Sequence, residues 1–123
     1  MIPQPDIRAI KERGDIYVLQ SDYECLGFTV PAGFEYDGAS VPRAVWTTSG
    51  MTPDGYYRPA ALVHDWLYSQ GGHAVRYGQP FNYTRKIADG IFRDILRELR
   101  LIRWHTFVLF IGVRMFGWLS WGK

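Results

Sequence analysis

Four residues in two short stretches of this sequence carry side chains suited to acid–base chemistry. His64, Asp65 and Tyr68 lie in the first stretch, and Asp89 lies in the second. If both stretches are helical, Tyr68 shares a face with His64, and the second helix can bring Asp89 against His64. A carboxylate that bonds one imidazole nitrogen leaves the other nitrogen available as a base. The spacing therefore predicts a dyad of His64 and Asp89.

The same pair also has a structural interpretation. A buried histidine that bonds an aspartate is often a satisfied polar pair of the core, without any part in catalysis. Asp65, the neighbour of His64, points about 100° away from it on a helix and faces a different part of the protein. Both interpretations stay open until the geometry is known.

Two predicted helices position these side chains. The first begins near Pro59 and ends at the glycines 71–72, both of which are ordinary helix boundaries. The second follows Thr84, a good N-cap residue, and is the clearest helix in the chain. Its apolar residues recur at helical spacing, and they are Ile87, Ala88, Ile91, Phe92, Ile95, Leu96 and Leu99.

The N-terminal third has the pattern of short strands. Residues 1–14 are predicted to form an extended arm or a short turn of helix, and residues 15–43 a small antiparallel sheet with a loop. Residues 59–123 are predicted to be helical, with a polar loop at 71–84 that can act as a rim or lid and holds His73 in solvent. The fold class is therefore α+β, with a small antiparallel sheet followed by two or three packed helices in a single domain, 1–123.

The segment 33–43 is a candidate binding loop. It combines small residues with Asp37, whose carboxylate and nearby carbonyls can bind a hard cation. An ordinary turn is the simpler interpretation, because Asp-Gly is a common turn dipeptide. Ser40 lacks the glycine-flanked elbow that exposes a nucleophile.

Composition limits the possible partners and compartments. Fourteen Lys and Arg against twelve Asp and Glu give a net charge of +2, too small to indicate nucleic acid. Nine of the fourteen bases follow residue 75, which suits an anionic membrane surface or an acidic protein. The lone cysteine, Cys25, excludes an intramolecular disulfide and is compatible with a reducing cytoplasm. The first residues lack the pattern of a signal peptide.

The last twenty residues are apolar and aromatic. Arg114 interrupts them near the middle, so they are not predicted to span a membrane. The favoured prediction is a third helix that is buried along most of its length. The alternative is a membrane-interface or partner-docking surface that includes Trp104, Trp118 and Trp121.

The order of several motifs resembles a family of small, mostly uncharacterised proteins of tailed bacteriophages and prophages. The resemblance runs from about residue 28 to the C-terminus and implies a phage or prophage origin, in the virion or in the host cytoplasm. The motifs are Val-Pro-Ala-Gly-Phe, Asp-Gly-Ala-Ser-Val-Pro-Arg, Val-His-Asp-Trp-Leu-Tyr and Arg-Lys-Ile-Ala-Asp-Gly-Ile-Phe.

A more distant resemblance concerns the chemistry. His64-Asp65-x-x-Tyr68 followed by Asp89 and Phe92 is similar to the motifs of secreted, prokaryotic and parvoviral phospholipases A2. The resemblance implies that His64 is the general base for water, Asp89 orients it and Tyr68 is a supporting hydroxyl. It also implies that Asp65 ligates calcium. The glycine-rich calcium loop of those enzymes has no counterpart, and segment 33–43 with Asp37 is the possible substitute.

The sequence thus leads to two functional hypotheses. The first is a phage-encoded, calcium-dependent hydrolase of phospholipase A2 type that acts on host envelope lipids during entry or lysis. The second is a non-enzymatic virion, tail or baseplate assembly protein in which the histidine–aspartate pair is structural, with other phage structural proteins as partners. A zinc site of His64, Asp65 and His73 has irregular ligand spacing and ranks below both.

Overall fold

The computed structural model describes residues 2–10, 16–37, 56–100 and 103–122. Within these ranges, antiparallel strands dominate the N-terminal part, and three helices are present. The predicted α+β class is therefore confirmed. In chain order the elements are β1 Ile7–Ile10, β2 Ile16–Leu19, β3 Tyr23–Cys25, β4 Phe28–Val30, β5 Glu35–Tyr36, α1 Arg58–Gln70, β6 His73–Arg76, β7 Gln79–Asn82, α2 Arg85–Glu98, α3 Arg103–Phe116 and a short 3-10 turn, Gly117–Leu119.

The strands form two small sheets, one ordered β1-β2-β5 and the other β3-β4-β6-β7. The segment predicted as an N-terminal arm includes β1, which pairs antiparallel with β2 so that Ile7 lies opposite Leu19. A strand of four residues has too little periodicity to be recognised, and the pairing with β2 determines it instead.

The segment predicted as a polar loop before α2 is a β-hairpin. His73 on β6 pairs with Asn82 on β7, and Arg76 on β6 pairs with Phe28 on β4, so the hairpin extends the second sheet. Tyr77 and Gly78 connect the two strands, both with positive φ. A two-residue turn of this kind usually carries Asn-Gly, and the tyrosine made it hard to recognise.

Local signals set the ends of the first two helices. Pro59 lies in the first turn of α1, where its missing N–H removes no helical hydrogen bond. Gly71 ends α1 in the left-handed conformation, with φ of 63°. At the start of α2, the Thr84 hydroxyl accepts a hydrogen bond of 3.3 Å from the Ile87 amide.

Helix α2 packs between α1 and α3, and α1 also contacts strands β4, β5 and β6. Tyr68 meets Asp89 while His64 also meets Phe92, one turn further along α2, so α1 and α2 run in opposite directions. The chain then returns to α1, where Trp121 packs edge-on against Tyr68 with ring centroids 5.1 Å apart. The C-terminal end of α3 is therefore tied to the core.

The third helix is only partly buried, so the prediction of burial along most of its length is wrong. Its buried residues are Thr106, Leu109, Gly112 and Val113, which lie on the side that packs against α2. No element in the described part of the chain covers its opposite side. The described helices include none that is long and apolar enough to cross a membrane.

Candidate functional site

The predicted histidine and aspartate meet in the core between α1 and α2. Nε2 of His64 lies 2.8 Å from Oδ1 of Asp89, and the Tyr68 hydroxyl donates a hydrogen bond of 2.5 Å to the same oxygen. His64 and Asp89 are both 0% exposed, and Tyr68 is 1% exposed. The structure therefore brings together the two residues of the predicted dyad and the predicted supporting hydroxyl of Tyr68, in a place closed to bulk water.

Two arginines complete the surroundings of Asp89. Arg114 on α3 donates a hydrogen bond of 2.8 Å to Oδ2, and Nη1 of Arg85, one turn before Asp89 on α2, lies 3.5 Å from the same oxygen. We call Asp89 with His64, Tyr68, Arg85 and Arg114 the Asp89 cluster. It joins all three helices through one carboxylate.

Arg85 also binds the end of the third helix. Its Nη1 donates to the Val113 carbonyl at 2.8 Å, and its Nη2 donates to the Arg114 carbonyl at 3.0 Å. Carbonyls in the last turn of a helix have no partner within the helix and carry partial negative charge, so a guanidinium stabilises them. Arg85 thus holds α3 by its backbone while Arg114 holds it by its side chain.

The pKa of Asp89 is lowered by this environment. Burial alone would raise it, but the bonds from His64, Tyr68 and Arg114 outweigh burial and hold the pKa below its ordinary value of 3.8. Asp89 is therefore a carboxylate at neutral pH. Burial and the bond to Asp89 raise the pKa of the Tyr68 hydroxyl above its ordinary value of 10.0, so it remains a donor.

The cluster has the tautomer that base catalysis needs but not the access. An ionised carboxylate can accept hydrogen bonds but cannot donate them, so the His64 nitrogen that faces Asp89, Nε2, carries the proton. In a neutral His64, Nδ1 is then the basic nitrogen. A histidine that acts as the general base for water needs water at that nitrogen. Here His64 is fully buried. Arg85 and Arg114 also lie against Asp89 and partly neutralise the negative charge that would make His64 a stronger base.

The predicted calcium ligands lie outside this cluster. Asp65 is half-buried on α1, and Asp37 is exposed directly after β5. Ser40 and the rest of the candidate loop from 38 to 43 lie outside the described residues. Among the described residues, no group of three or more His, Cys, Asp or Glu side chains is placed to hold a metal ion. Calcium binding therefore stays a prediction.

The zinc hypothesis has no support in the described residues. His64 belongs to the Asp89 cluster, whereas His73 is exposed on β6, where its Nδ1 lies 2.9 Å from the side-chain oxygen of Asn82. The two histidines thus have separate partners, and the second one stabilises the hairpin.

A second feature is the exposed side of α3. Five large apolar side chains recur there at intervals of three and four residues, from the first turn of α3 to the 3-10 turn, and they are 40% to 66% exposed. We call them the apolar stripe: Trp104, Phe107, Ile111, Met115 and Trp118. Trp104 and Trp118 belong to the docking surface that is the alternative prediction for this segment. Trp121, its third member, packs against Tyr68 and Tyr83 instead.

A cleft of about 850 Å³ lies beside the stripe, between the C-terminal half of α2 and the N-terminal half of α3. We call it the arginine cleft. Its lining joins three basic side chains, one hydroxyl and three apolar side chains, which are Arg93, Arg97, Arg103, Thr106, Phe107, Phe110 and Ile111. No sequence pattern predicts this cleft, because its residues come from two helices and form no contiguous motif.

Comparison with known proteins gives a family without an assigned activity. The profile of DUF1353, described as "Protein of unknown function", matches residues 16–113. "Uncharacterized protein y4jT" of Sinorhizobium fredii (strain NBRC 101917 / NGR234) is 33% identical over 57 residues, which cover 42% of this chain. The matched region is 17% of the length of that relative. No solved structure matches the chain.

Proposed function

This chain belongs to the DUF1353 family of proteins of unknown function, and we propose that it is a non-enzymatic protein that attaches to anionic phospholipid surfaces through its third helix. In this proposal the Asp89 cluster holds that helix in place, and the apolar stripe enters the lipid. The stripe is the observation that carries the proposal.

The stripe has the composition of a membrane-interface helix. Trp104 and Trp118 lie at its two ends, and aromatic rings with a polar N–H are favoured at the boundary between lipid and water. Exposed apolar side chains of this size are costly in water when they lie side by side, and a contiguous patch of them usually marks a binding surface. A lipid surface removes them from water without requiring a shaped partner.

The charge of the same region favours an anionic surface. No acidic residue follows Glu98, whereas Arg100, Arg103, Arg114 and Lys123 all do. Arg114 is engaged by Asp89, but Arg100 and Arg103 are exposed close to the start of α3. Each Lys or Arg close to an anionic membrane contributes about 1 kcal/mol to attachment. The attraction weakens with salt, because ions screen it.

The burial of the histidine–aspartate pair supports a non-enzymatic role. A general base must reach a water molecule within hydrogen-bond distance of its substrate. His64 has no exposed surface. Asp89 links the three helices, and this structural role is sufficient to account for the buried pair.

The setting of the proposal is a phage or prophage, which the resemblance of the sequence motifs supports. A virion, tail or baseplate protein with such a helix would bring its assembly to the host envelope. Other phage structural proteins would then contact surfaces away from α3.

A calcium-dependent hydrolase of phospholipase A2 type is the second candidate function. The observation that favours it is the pattern of bonds at Asp89, which accepts both from His64 and from Tyr68, as the resemblance requires. Asp65 and Asp37 would be its calcium ligands. It differs from the first proposal in one observable, the calcium-dependent release of fatty acid.

Sedimentation with vesicles tests the proposed attachment. The protein should bind vesicles of phosphatidylcholine and phosphatidylglycerol more tightly than vesicles of phosphatidylcholine alone, and high salt should weaken that binding. The double variant Trp104→Ser/Trp118→Ser should bind about tenfold more weakly or worse, because it removes the two largest apolar surfaces of the stripe. Tyr56→Ser is the matched control, since Tyr56 is 58% exposed at the start of α1.

Two outcomes would count against attachment to lipid. The first is that the unmutated protein stays in the supernatant with both kinds of vesicle. The second is that the control lowers binding as much as the double variant does. If the protein ignores vesicles but forms a complex with another protein through the stripe, the stripe is a protein-docking surface instead.

A further inference from the structure

The arginine cleft contains cations that the described residues leave poorly neutralised. Nε of Arg93 is buried without a hydrogen-bond partner in the described part of the chain, and its ion pair with Asp94 measures 3.9 Å, too long for a hydrogen bond. Arg97 and Arg103 are exposed on the facing helices. Three guanidiniums that converge on one cleft repel each other unless an anion lies between them.

The wall of the cleft also holds an unpaired hydroxyl. Thr106 is 6% exposed, and its Oγ1 is buried with no hydrogen-bond partner among the described residues. A buried polar atom without a partner costs free energy, and few native groups remain so when the molecule is complete. An anion that enters the cleft would lie close to both side chains, because both residues line it.

The remaining lining is apolar and continuous with the stripe. Phe107 and Ile111 belong both to the cleft and to the apolar stripe, and the guanidinium of Arg93 lies 4.9 Å from the ring centroid of Phe110. The cleft therefore has arginines along the two helices that form it, and apolar side chains at the edge that adjoins the exposed side of α3. This arrangement matches an amphiphile, in which an anionic head group is joined to acyl chains.

From these contacts we infer that the arginine cleft binds the phosphate group of an anionic phospholipid, with Arg93, Arg97 and Arg103 as its cationic donors and the acyl chains along Phe107 and Ile111. The inference rests on the proposed attachment to lipid and names the lipid group that is recognised. Arginine suits this role because its planar fork donates two parallel hydrogen bonds to phosphate oxygens.

A soluble lipid tests the cleft without a membrane. Dihexanoyl-phosphatidylglycerol, kept below its micelle concentration, should bind the full chain in a titration followed by calorimetry. Arg97→Gln/Arg103→Gln should raise its dissociation constant about tenfold or more, because two charge-assisted contacts are lost. Arg8→Gln/Lys86→Gln is the matched control, since it removes the same charge from two exposed side chains, on β1 and at the start of α2, that do not line the cleft. It should change the constant by about twofold at most.

A second variant separates binding from folding. Thr106→Val keeps the shape of the side chain and removes the unpaired hydroxyl, so the melting temperature should rise. If the phosphate uses that hydroxyl, the same variant should also weaken lipid binding by about threefold. A threonine with a structural role alone would change only the melting temperature.

The remaining arms separate the two proposals. Vesicle binding that is lost with Trp104→Ser/Trp118→Ser, together with no binding of the soluble lipid, would overturn the cleft and leave the attachment intact. Binding of the soluble lipid that needs the arginines, without any vesicle binding, would overturn the attachment and support the cleft. Inorganic phosphate that binds as tightly as the lipid would overturn the assignment to phospholipid, and so would equal effects of Arg97→Gln/Arg103→Gln and Arg8→Gln/Lys86→Gln.

Discussion

Arg114 and Asp89 form an ion pair of 2.8 Å that joins the last turn of the third helix to the second turn of the second helix. The carboxylate is fully buried, while the side chain of Arg114 is 31% exposed. Asp89 has lost its hydration completely and depends on the bonds that it accepts. Its removal should therefore damage the protein more than the removal of any one of its partners.

We expect Asp89→Asn to lower the free energy of unfolding by about 3 to 5 kcal/mol, because two guanidiniums and His64 would face an amide instead of a charge. Urea denaturation followed by tryptophan fluorescence would measure the loss. Asp94→Asn on the same helix is the control, since the side chain of Asp94 is 56% exposed and its change should cost less than about 1 kcal/mol. Equal losses in the two variants would contradict a central role for Asp89.

Acid should destabilise the protein through the same carboxylate. The pKa of Asp89 in the folded state lies below its ordinary value of 3.8, so its contribution to stability is fully present above that value. The contribution is lost as the pH falls below 3.8 towards the folded-state pKa, because the unfolded chain takes up the proton first. The difference in unfolding free energy between the unmutated protein and Asp89→Asn should shrink over this range. A difference that stays constant in acid would be inconsistent with a lowered pKa.

Two glycines should respond to alanine in opposite directions. A Cβ at Gly117 would overlap with the Tyr68 hydroxyl and lie 3.2 Å from Nη1 of Arg85, so Gly117→Ala should disturb the Asp89 cluster and lower the melting temperature. A Cβ at Gly90 would meet no atom within 4 Å. Because Gly90 lies inside α2, Gly90→Ala should stabilise the protein by about 0.5 to 1 kcal/mol. Thermal melts of both variants would measure this, and a stabilising Gly117→Ala would mean that the 3-10 turn can move away from Tyr68.

Local signals were enough to predict the pair of His64 and Asp89. Pro59 and Gly71 bound the first helix, Thr84 begins the second, and the helical period then fixes which side chains face each other. The partners from α3 were harder to predict. The sequence led us to expect that α3 would be buried, and Arg114 reaches Asp89 only because α3 packs antiparallel to α2, which no local pattern encodes.

The exposure of the stripe could not be predicted from hydrophobicity alone. Helix α3 is apolar on most sides, and such a pattern fits a helix enclosed by the core as well as one that meets lipid. The two kinds of helix differ in how many other helices and strands pack around them, and that number depends on the rest of the chain. Here α2 covers one side, and the spacing of Trp104, Phe107 and Ile111 marks the other side only in hindsight.

The last prediction distinguishes the structural role of His64 from a catalytic one. His64→Ala removes a fully buried ring and one of the donors to Asp89, so a structural histidine should cost about 2 to 4 kcal/mol of unfolding free energy. His73→Ala, on the exposed hairpin, should cost about 0.5 kcal/mol or less and serves as the control. In parallel, phosphatidylglycerol-containing vesicles should release no fatty acid with the unmutated protein, with or without calcium. Calcium-dependent release that His64→Ala abolishes, at a stability cost below about 1 kcal/mol, would favour the hydrolase, because a base in an open cleft supports little packing.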